Sequence, residues 1–242
     1  MTEKKTLQTA HGNIPLYVVY ERRKGYRAAF TKKGLVIRLP KQLNRFQQKQ
    51  LEQNMQQWAV KQLKKNPAII NRYIPNRYDA ESHITTFDNR FIINATYLQI
   101  HSAKGTLRGN TLYLQLPKKT TDIENGEMAR KLISRLLAQH YKHPLEERLV
   151  YWNRFFSQQY SRFILRYATS RWGSCSQKKT ISLSTRLLLT SAEVIDYVMV
   201  HELAHLRHLN HSPAFGHEVR RVMPDYKKYD TWLTLNGKNI DF

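Results

Sequence analysis

The run Thr190-Ser191-Ala192-Glu193-Val194-Ile195-Asp196-Tyr197-Val198-Met199-Val200-His201-Glu202-Leu203-Ala204-His205 carries an apolar helical face that ends in two histidines one turn apart. Thr190 followed three residues later by Glu193 reads as a Thr-x-x-Glu capping box, so a helix is expected to begin near Ser191. Val194, Ile195, Val198 and Met199 anchor its first two turns and fix the rotamers of the histidines that follow. In the spacing His-Glu-x-x-His, both imidazoles turn toward one metal ion while the intervening Glu202 faces metal-bound water.

Five of the ten histidines lie between residues 201 and 217, so the third ligand is sought among them. Tetrahedral zinc with Zn–N bonds of about 2.0 Å needs its nitrogens within about 3.5 Å of one another. His208, about 10 Å from His201 along a continuous helix, is too far along. His211 returns: Asn210 tolerates a left-handed turn, and Ser212-Pro213 reads as the cap and first position of a following helix. His201, His205 and His211 are therefore the expected ligands, with Glu218 the runner-up and His208 and His217 surface or packing residues. Other divalent ions suit the same three nitrogens. The fourth position is left to water, whose proton Glu202 can take, which is metal-assisted hydrolysis. Whether an amide carbonyl or a phosphorus is attacked stays open at this point.

Before this helix, Phe163 to Ala168 and Thr180 to Leu183 read as strands, and Asp122 to about Ser157 as a helix that Pro144 breaks or kinks. The first half reads as strands at Leu16–Tyr20, Arg27–Phe30 and Leu35–Leu39, then a helix from about Asn44 to Lys65. A connection at residues 68–82 and strands at Phe87–Ile100 and Thr111–Leu116 follow. No internal repeat is evident. The fold class is α+β, with a β-rich basic first half carrying one helix and a helical second half carrying the histidine motif. The charge divides the chain into residues 1–121 and 122–242, which can equally be one continuous domain.

Lys and Arg number 40 against 18 Asp and Glu, a formal charge of +22. Residues 1–121 hold 22 basic and 6 acidic side chains, net +16, and residues 122–242 hold 18 and 12, net +6. Charge speaks to partners rather than fold. Arg22, Arg23, Lys24, Arg27, Lys32 and Lys33 flank paired strands and are the candidate contacts for nucleic acid or another polyanion. Cys175 is the single cysteine; this excludes an intramolecular disulfide and a thiolate-cage zinc, and suits a reducing, cytoplasmic compartment. No apolar stretch approaches the length of a membrane span, and the amino terminus lacks the apolar core of a signal peptide.

Several blocks together resemble the YgjP-like metallopeptidase domain family of zincin-type hydrolases. They are Arg171-Trp172-Gly173-Ser174-Cys175-Ser176, Ile181 and Leu183, Val194 to Val198, His201 to His205, Asn210-His211-Ser212 with Phe215, and Pro224-Asp225-Tyr226 with Trp232-Leu233. Arg22-Arg23-Lys24, Val36 to Pro40 and Trp58 extend the likeness into the first half. Ser184, Ser191 and Gly216 depart from the family's usual residues without removing a ligand. The resemblance implies zinc on His201, His205 and His211, Glu202 as catalytic base, and a peptide or protein substrate. Arg171 and Tyr226 are candidates for stabilising a developing oxyanion or touching substrate. Two rival readings stand beside it. One is a metal-dependent nucleotide hydrolase acting on UTP, a name that members of this family also carry. The other is a nucleic-acid-binding module whose metal is structural and has four protein ligands.

Overall fold

The structure is a computed structural model, and it describes residues 2–9, 12–31, 33–66, 69, 73, 78, 82–118 and 122–242. The fold is mixed α and β. It divides into two compact units, residues 1–77 with 121–126, and residues 78–120 with 127–242. Each has its own apolar core. The units do not follow the charge step at residue 121, because charge is carried by outward side chains and the cores by inward ones. The expected connection at 68–82 falls largely outside the described residues, as does Lys32.

In the first unit, strands β1 (Thr2–Thr9), β2 (Gly12–Glu21), β3 (Arg27–Thr31) and β4 (Gly34–Pro40) form a sheet of order β1-β2-β4-β3. β2 and β4 run parallel, and the outer pairs are antiparallel. Alternation in β4 buries Leu35, Ile37 and Leu39, the expectation for a sheet with one covered face. Gly34, at φ +138°, opens β4; a Cβ there would lie 2.0 Å from the Pro15 carbonyl oxygen, so the close approach of β2 requires glycine. Helix α1 (Arg45–Lys65) starts at Asn44, whose side chain accepts from the Gln47 amide while Gln47 reaches back, a capping box.

The second unit begins with the same topology. Strands β5 (His83–Thr85), β6 (Arg90–Leu98), β7 (Lys104–Arg108) and β8 (Thr111–Pro117) form a sheet of order β5-β6-β8-β7 with a parallel central pair. Both fourth strands end in Leu-Pro and both precede a helix, here α2 (Asp122–Asn153). The chain thus contains a structural repeat where the sequence shows none. Sheet topology constrains only which positions face inward, so the two copies share a pattern of burial and few identities. Pro144 lies within α2, which continues through it to Asn153. Leu132, Ile133, Leu136, Leu137, Tyr141, Leu145 and Leu149 are buried along α2 in one cluster with Phe91, Ile93, Leu112, Leu114 and Leu116 of this sheet.

Strands β9 (Arg162–Arg166), β10 (Gly173–Cys175) and β11 (Thr180–Ser184) then form a small sheet of order β10-β11-β9, leaving β10 at its edge. Its Ile181 and Leu183 face the core. Helices α3 (Ala192–Ala204), α4 (Pro213–Val222) and α5 (Tyr226–Asn236) complete the unit. β1, β5, β7 and β10 escape the sequence reading because they are short or polar, with burial along β1 confined to Leu7.

Candidate metal centre

Helix α3 is held where its apolar face predicts, with Val194, Ile195, Val198 and Met199 buried. Its start differs in detail from the expected box. The Thr190 hydroxyl donates to the Leu187 carbonyl at 2.7 Å, closing the preceding 3-10 turn, so Ser191 is the N-cap residue. Asp196, buried on the same helix, accepts from Arg148 and from Trp152 Nε1 at 2.7 Å. Both donors lie on α2, so a charge-assisted pair ties α3 to α2.

At the carboxyl end of α3, His201, His205 and His211 bring one ligand nitrogen each to within 4.8 Å of one another. Nε2 of His201 and Nε2 of His211 are 3.1 Å apart. His211 reaches back because Ser212 caps α4, accepting from the Phe215 amide, with Pro213 in its first turn. Asn210 does not use a left-handed turn to do so: among the described non-glycine residues only Ser157 and Lys179 have positive φ. The chain reverses instead through residues of ordinary backbone conformation. The ring of Phe215 packs against all three imidazoles, with centroids 4.9, 4.5 and 4.9 Å from His201, His205 and His211. His205 Nδ1 lies 2.9 Å from the His208 carbonyl. An Nδ1–H donated there leaves Nε2 with its lone pair free for a metal. His208 thus serves through its backbone. Burial, and then the neighbouring imidazoles, push His201 down to about 4 and His205 also below its ordinary value, which keeps both rings neutral at neutral pH.

Glu202 is 4% exposed. Burial raises its carboxyl to about 8, against the weaker opposing pull of Arg171 and of a hydrogen bond from the Cys175 backbone. Its Oε2 is buried with no hydrogen-bond partner. An orphaned carboxylate oxygen beside three converging imidazoles fits a hydrated metal ion, because such an oxygen is costly unless a proton donor meets it. Gly173 makes the arrangement possible. A Cβ at that position would stand 2.5 Å from Glu202 Oε1 and 2.7 Å from its Cγ. Sequence reasoning leaves Gly173 without a role of its own inside a matching block; a glycine beside a tryptophan in a short strand is the signal that points to a close approach.

Other sequence candidates sit at varied distances from this centre. Arg171 is exposed and acts electrostatically on Glu202. Tyr226 stacks on Tyr197 at 6.3 Å, and Tyr197 stands edge-on to His201 at 5.9 Å. Tyr226 therefore adjoins the imidazoles through a second ring. Glu218 is engaged by Arg207 at 3.0 Å and Arg221 at 3.1 Å, and His217 is exposed. Among the described residues, neither joins the three-histidine cluster. Cys175, half-buried beside Glu202, has its thiol pushed up to about 11 by burial, which makes it a poor nucleophile. Of the basic group, Arg23 is bound to Glu21 at 3.0 Å. Arg22, Lys24, Arg27 and Lys33 are exposed.

Among the described residues, no helix is long and apolar enough to cross a membrane. No curated protein matches the chain. Among solved structures, it is similar to the metallopeptidase zymogen abylysin of Pyrococcus abyssi, with 27% identity and a TM-score of 0.35 over 39% of this chain and 97% of that one. It is also similar to the metallopeptidase zymogen jannalysin of Methanocaldococcus jannaschii, with 22% identity and a TM-score of 0.32 over 39% of this chain and 94% of that one. Residues 27–236 match the family described as YgjP-like, metallopeptidase domain, a span that takes in the repeat's first helix, the whole second sheet and every residue of the histidine cluster. The chain belongs to the YgjP-like metallopeptidase family of metal-dependent hydrolases.

Proposed function

We propose that this chain is a zinc-dependent peptidase in which His201, His205 and His211 hold the ion and Glu202 is the general base. The observation that carries the reading is the convergence of three imidazoles beside a buried carboxylate with an unpartnered oxygen. Three nitrogen donors without a thiolate or further carboxylate suit zinc, and leave a position open for chemistry. When bound, the ion supplies Lewis acidity and makes water a nucleophile near neutral pH.

The chain's own groups do the rest. Glu202 takes a proton at its free oxygen and returns it to the leaving amine, a role that the raised proton affinity of its buried carboxyl favours. The Cys175 backbone and the bare face of Gly173 hold the carboxylate in place. Phe215 and the His205–His208 hydrogen bond orient the ligands. Arg171, on the rim, is positioned to attract negative charge, and Tyr226 lines the side beyond Tyr197. The family membership favours an amide over a phosphoanhydride as the bond attacked. The engagement of Glu218 by two arginines argues against a closed, four-ligand structural site.

The decisive test is metal content by elemental analysis and casein hydrolysis on the same untagged samples. Glu202→Gln should retain stoichiometric zinc and lose hydrolysis, whereas His205→Ala and His211→Ala should lose zinc. Full hydrolysis by Glu202→Gln, or UTP turnover in place of casein turnover, would overturn the reading.

A further inference from the structure

The edge strand beside Glu202 has a second face. Backbone bonds from the Ser184 amide to the Trp172 carbonyl and from the Ser176 amide to the Thr180 carbonyl fix the register of β10 on β11. In that register Gly173 turns toward Glu202, so Ser174 turns to the opposite face. Ser182 lies across from Ser174, and Ser184 across from Arg166. Arg166 Nε donates to Ser182 Oγ at 3.1 Å. Together with Arg171 and Trp172 these residues line a shallow depression that is partly open to solvent.

The depression is too shallow to enclose a nucleotide or an extended aromatic ligand, and its charged groups, the two guanidinium ions, are donors only. Among the described residues, neither Arg166 nor Arg171 has an ion-pair partner, and both are exposed. The surrounding sequence explains why. From Arg148 to Ala192 there are eight Lys and Arg and no Asp or Glu, so apart from carboxylates brought from other elements, as Asp196 is to Arg148, the local positive potential is uncompensated. Guanidinium forks with free N–H groups beside serine hydroxyls match a carboxylate in geometry and charge.

We propose that the depression formed by Arg166, Arg171, Ser174 and Ser182 is a subsite for a carboxylate of the bound peptide. This rests on the peptidase reading for its place in catalysis: a peptide extended beside β10 alternates its side chains, and one of them falls on the Ser174 face while its neighbour's backbone approaches Glu202. The carboxylate comes from an internal Asp or Glu side chain or from the peptide's own carboxyl end.

The test uses N-acetylated, C-amidated alanine-rich octapeptides in which one Glu is walked along the chain, each paired with its Gln counterpart, and one Gln peptide with a free carboxyl end. Binding to the full-length Glu202→Gln chain is measured by calorimetry, and cleavage by the wild-type chain by chromatography. At one or two positions the Glu peptide should bind about tenfold tighter than the Gln peptide, the scale of a charge-assisted hydrogen bond. Adding Arg166→Gln or Arg171→Gln should bring that ratio to within about twofold, and adding Arg171→Glu should turn the preference toward a Lys peptide. A preference seen only with the free carboxyl end, and lost in the same variants, assigns the subsite to the chain terminus. Equal binding of Glu and Gln peptides throughout, or a preference that survives replacement of both arginines, overturns the proposal. Cleavage without Glu preference would sink the subsite alone, while preference without cleavage of any peptide would sink the peptidase reading alone.

Discussion

Gly173 and Glu202 are packed so closely that a single methyl group on the first would overlap the carboxylate of the second, 2.5 Å from Oε1. The strand that carries Gly173 is short and at the sheet edge, so it can shift more easily than the helix can. Gly173→Ala should therefore fold, lose about 1–3 kcal/mol of stability as an overpacked site, and keep its metal. Its kcat should fall at least tenfold, since the substitution disturbs the carboxylate proposed as the base. Steady-state kinetics alongside elemental analysis would show this, and wild-type kcat in Gly173→Ala would contradict the role given to the close approach.

The acidity of the site gives a pH dependence of stability in the metal-free chain. Burial holds the Glu202 carboxyl up at about 8, against 4.5 in the unfolded chain. Between those values the folded state binds more protons than the unfolded state, so stability falls as pH rises and levels off above 8. His201, pushed down to about 4 from 6.5, acts in the opposite sense, costing stability as pH falls below 6.5. Above 6.5 the Glu202 contribution stands without that opposition. With chelator present, the Tm at about pH 6.5 should exceed that at about pH 8.5. The difference should largely vanish in Glu202→Gln, and its persistence in that variant would assign it to other groups.

Asp196 holds α3 against α2 through Arg148 and Trp152. Asp196→Ala strands the indole N–H and frees the guanidinium toward solvent, at a cost of about 2 kcal/mol. Urea denaturation should register that loss. A smaller drop in metal affinity should accompany it, because the ligand-bearing end of α3 is steadied by the same helix. Wild-type stability in Asp196→Ala would mean that the apolar face alone fixes the helix.

Phe215 touches all three imidazoles. Phe215→Ala removes a buried aromatic ring at a cost of about 3–5 kcal/mol, while Phe215→Leu keeps most of the volume. Zinc affinity, measured by competition with a chromophoric chelator, should fall in the order wild type, Leu, Ala. An Ala variant with wild-type affinity would leave the ring with a packing role only.

The exposed basic group makes a separate prediction about polyanions. Arg23 is already bound to Glu21, so Arg22, Lys24, Arg27 and Lys33 should carry any binding of a single-stranded oligonucleotide. Replacing any one of these four by Gln should lower the slope of log affinity against log salt by about 0.7. Arg23→Gln should change it less, and a salt-independent affinity would contradict the expectation drawn from the charge.

What the sequence discloses and what it hides follow from the range of the interactions. His201, Glu202 and His205 are legible because three residues on one turn are placed by helix geometry alone. His211 is legible once Ser212-Pro213 is read as a cap, although the backbone reaches it without the expected turn at Asn210. Gly173 is hidden because its meaning lies in a contact with a helix that begins nineteen residues later. The partners of Asp196 are hidden for the same reason, as they come from a helix more than forty residues earlier. The repeated sheets are hidden because their kinship is in strand order and burial, with few identities beyond the Leu-Pro that ends each fourth strand.

The two helices that follow those sheets are unequal: α1 has 21 residues and α2 has 32, a difference of 11. Counted from its start, α2 matches the length of α1 at Lys142, and Arg148 and Trp152 lie in the extension beyond it. The two donors that hold Asp196 of α3 therefore lie outside the common plan of four strands and a helix, in the added turns. A chain shortened in those turns, between Pro144 and Asn153, would keep both duplicated sheets and lose the polar tie between α2 and α3.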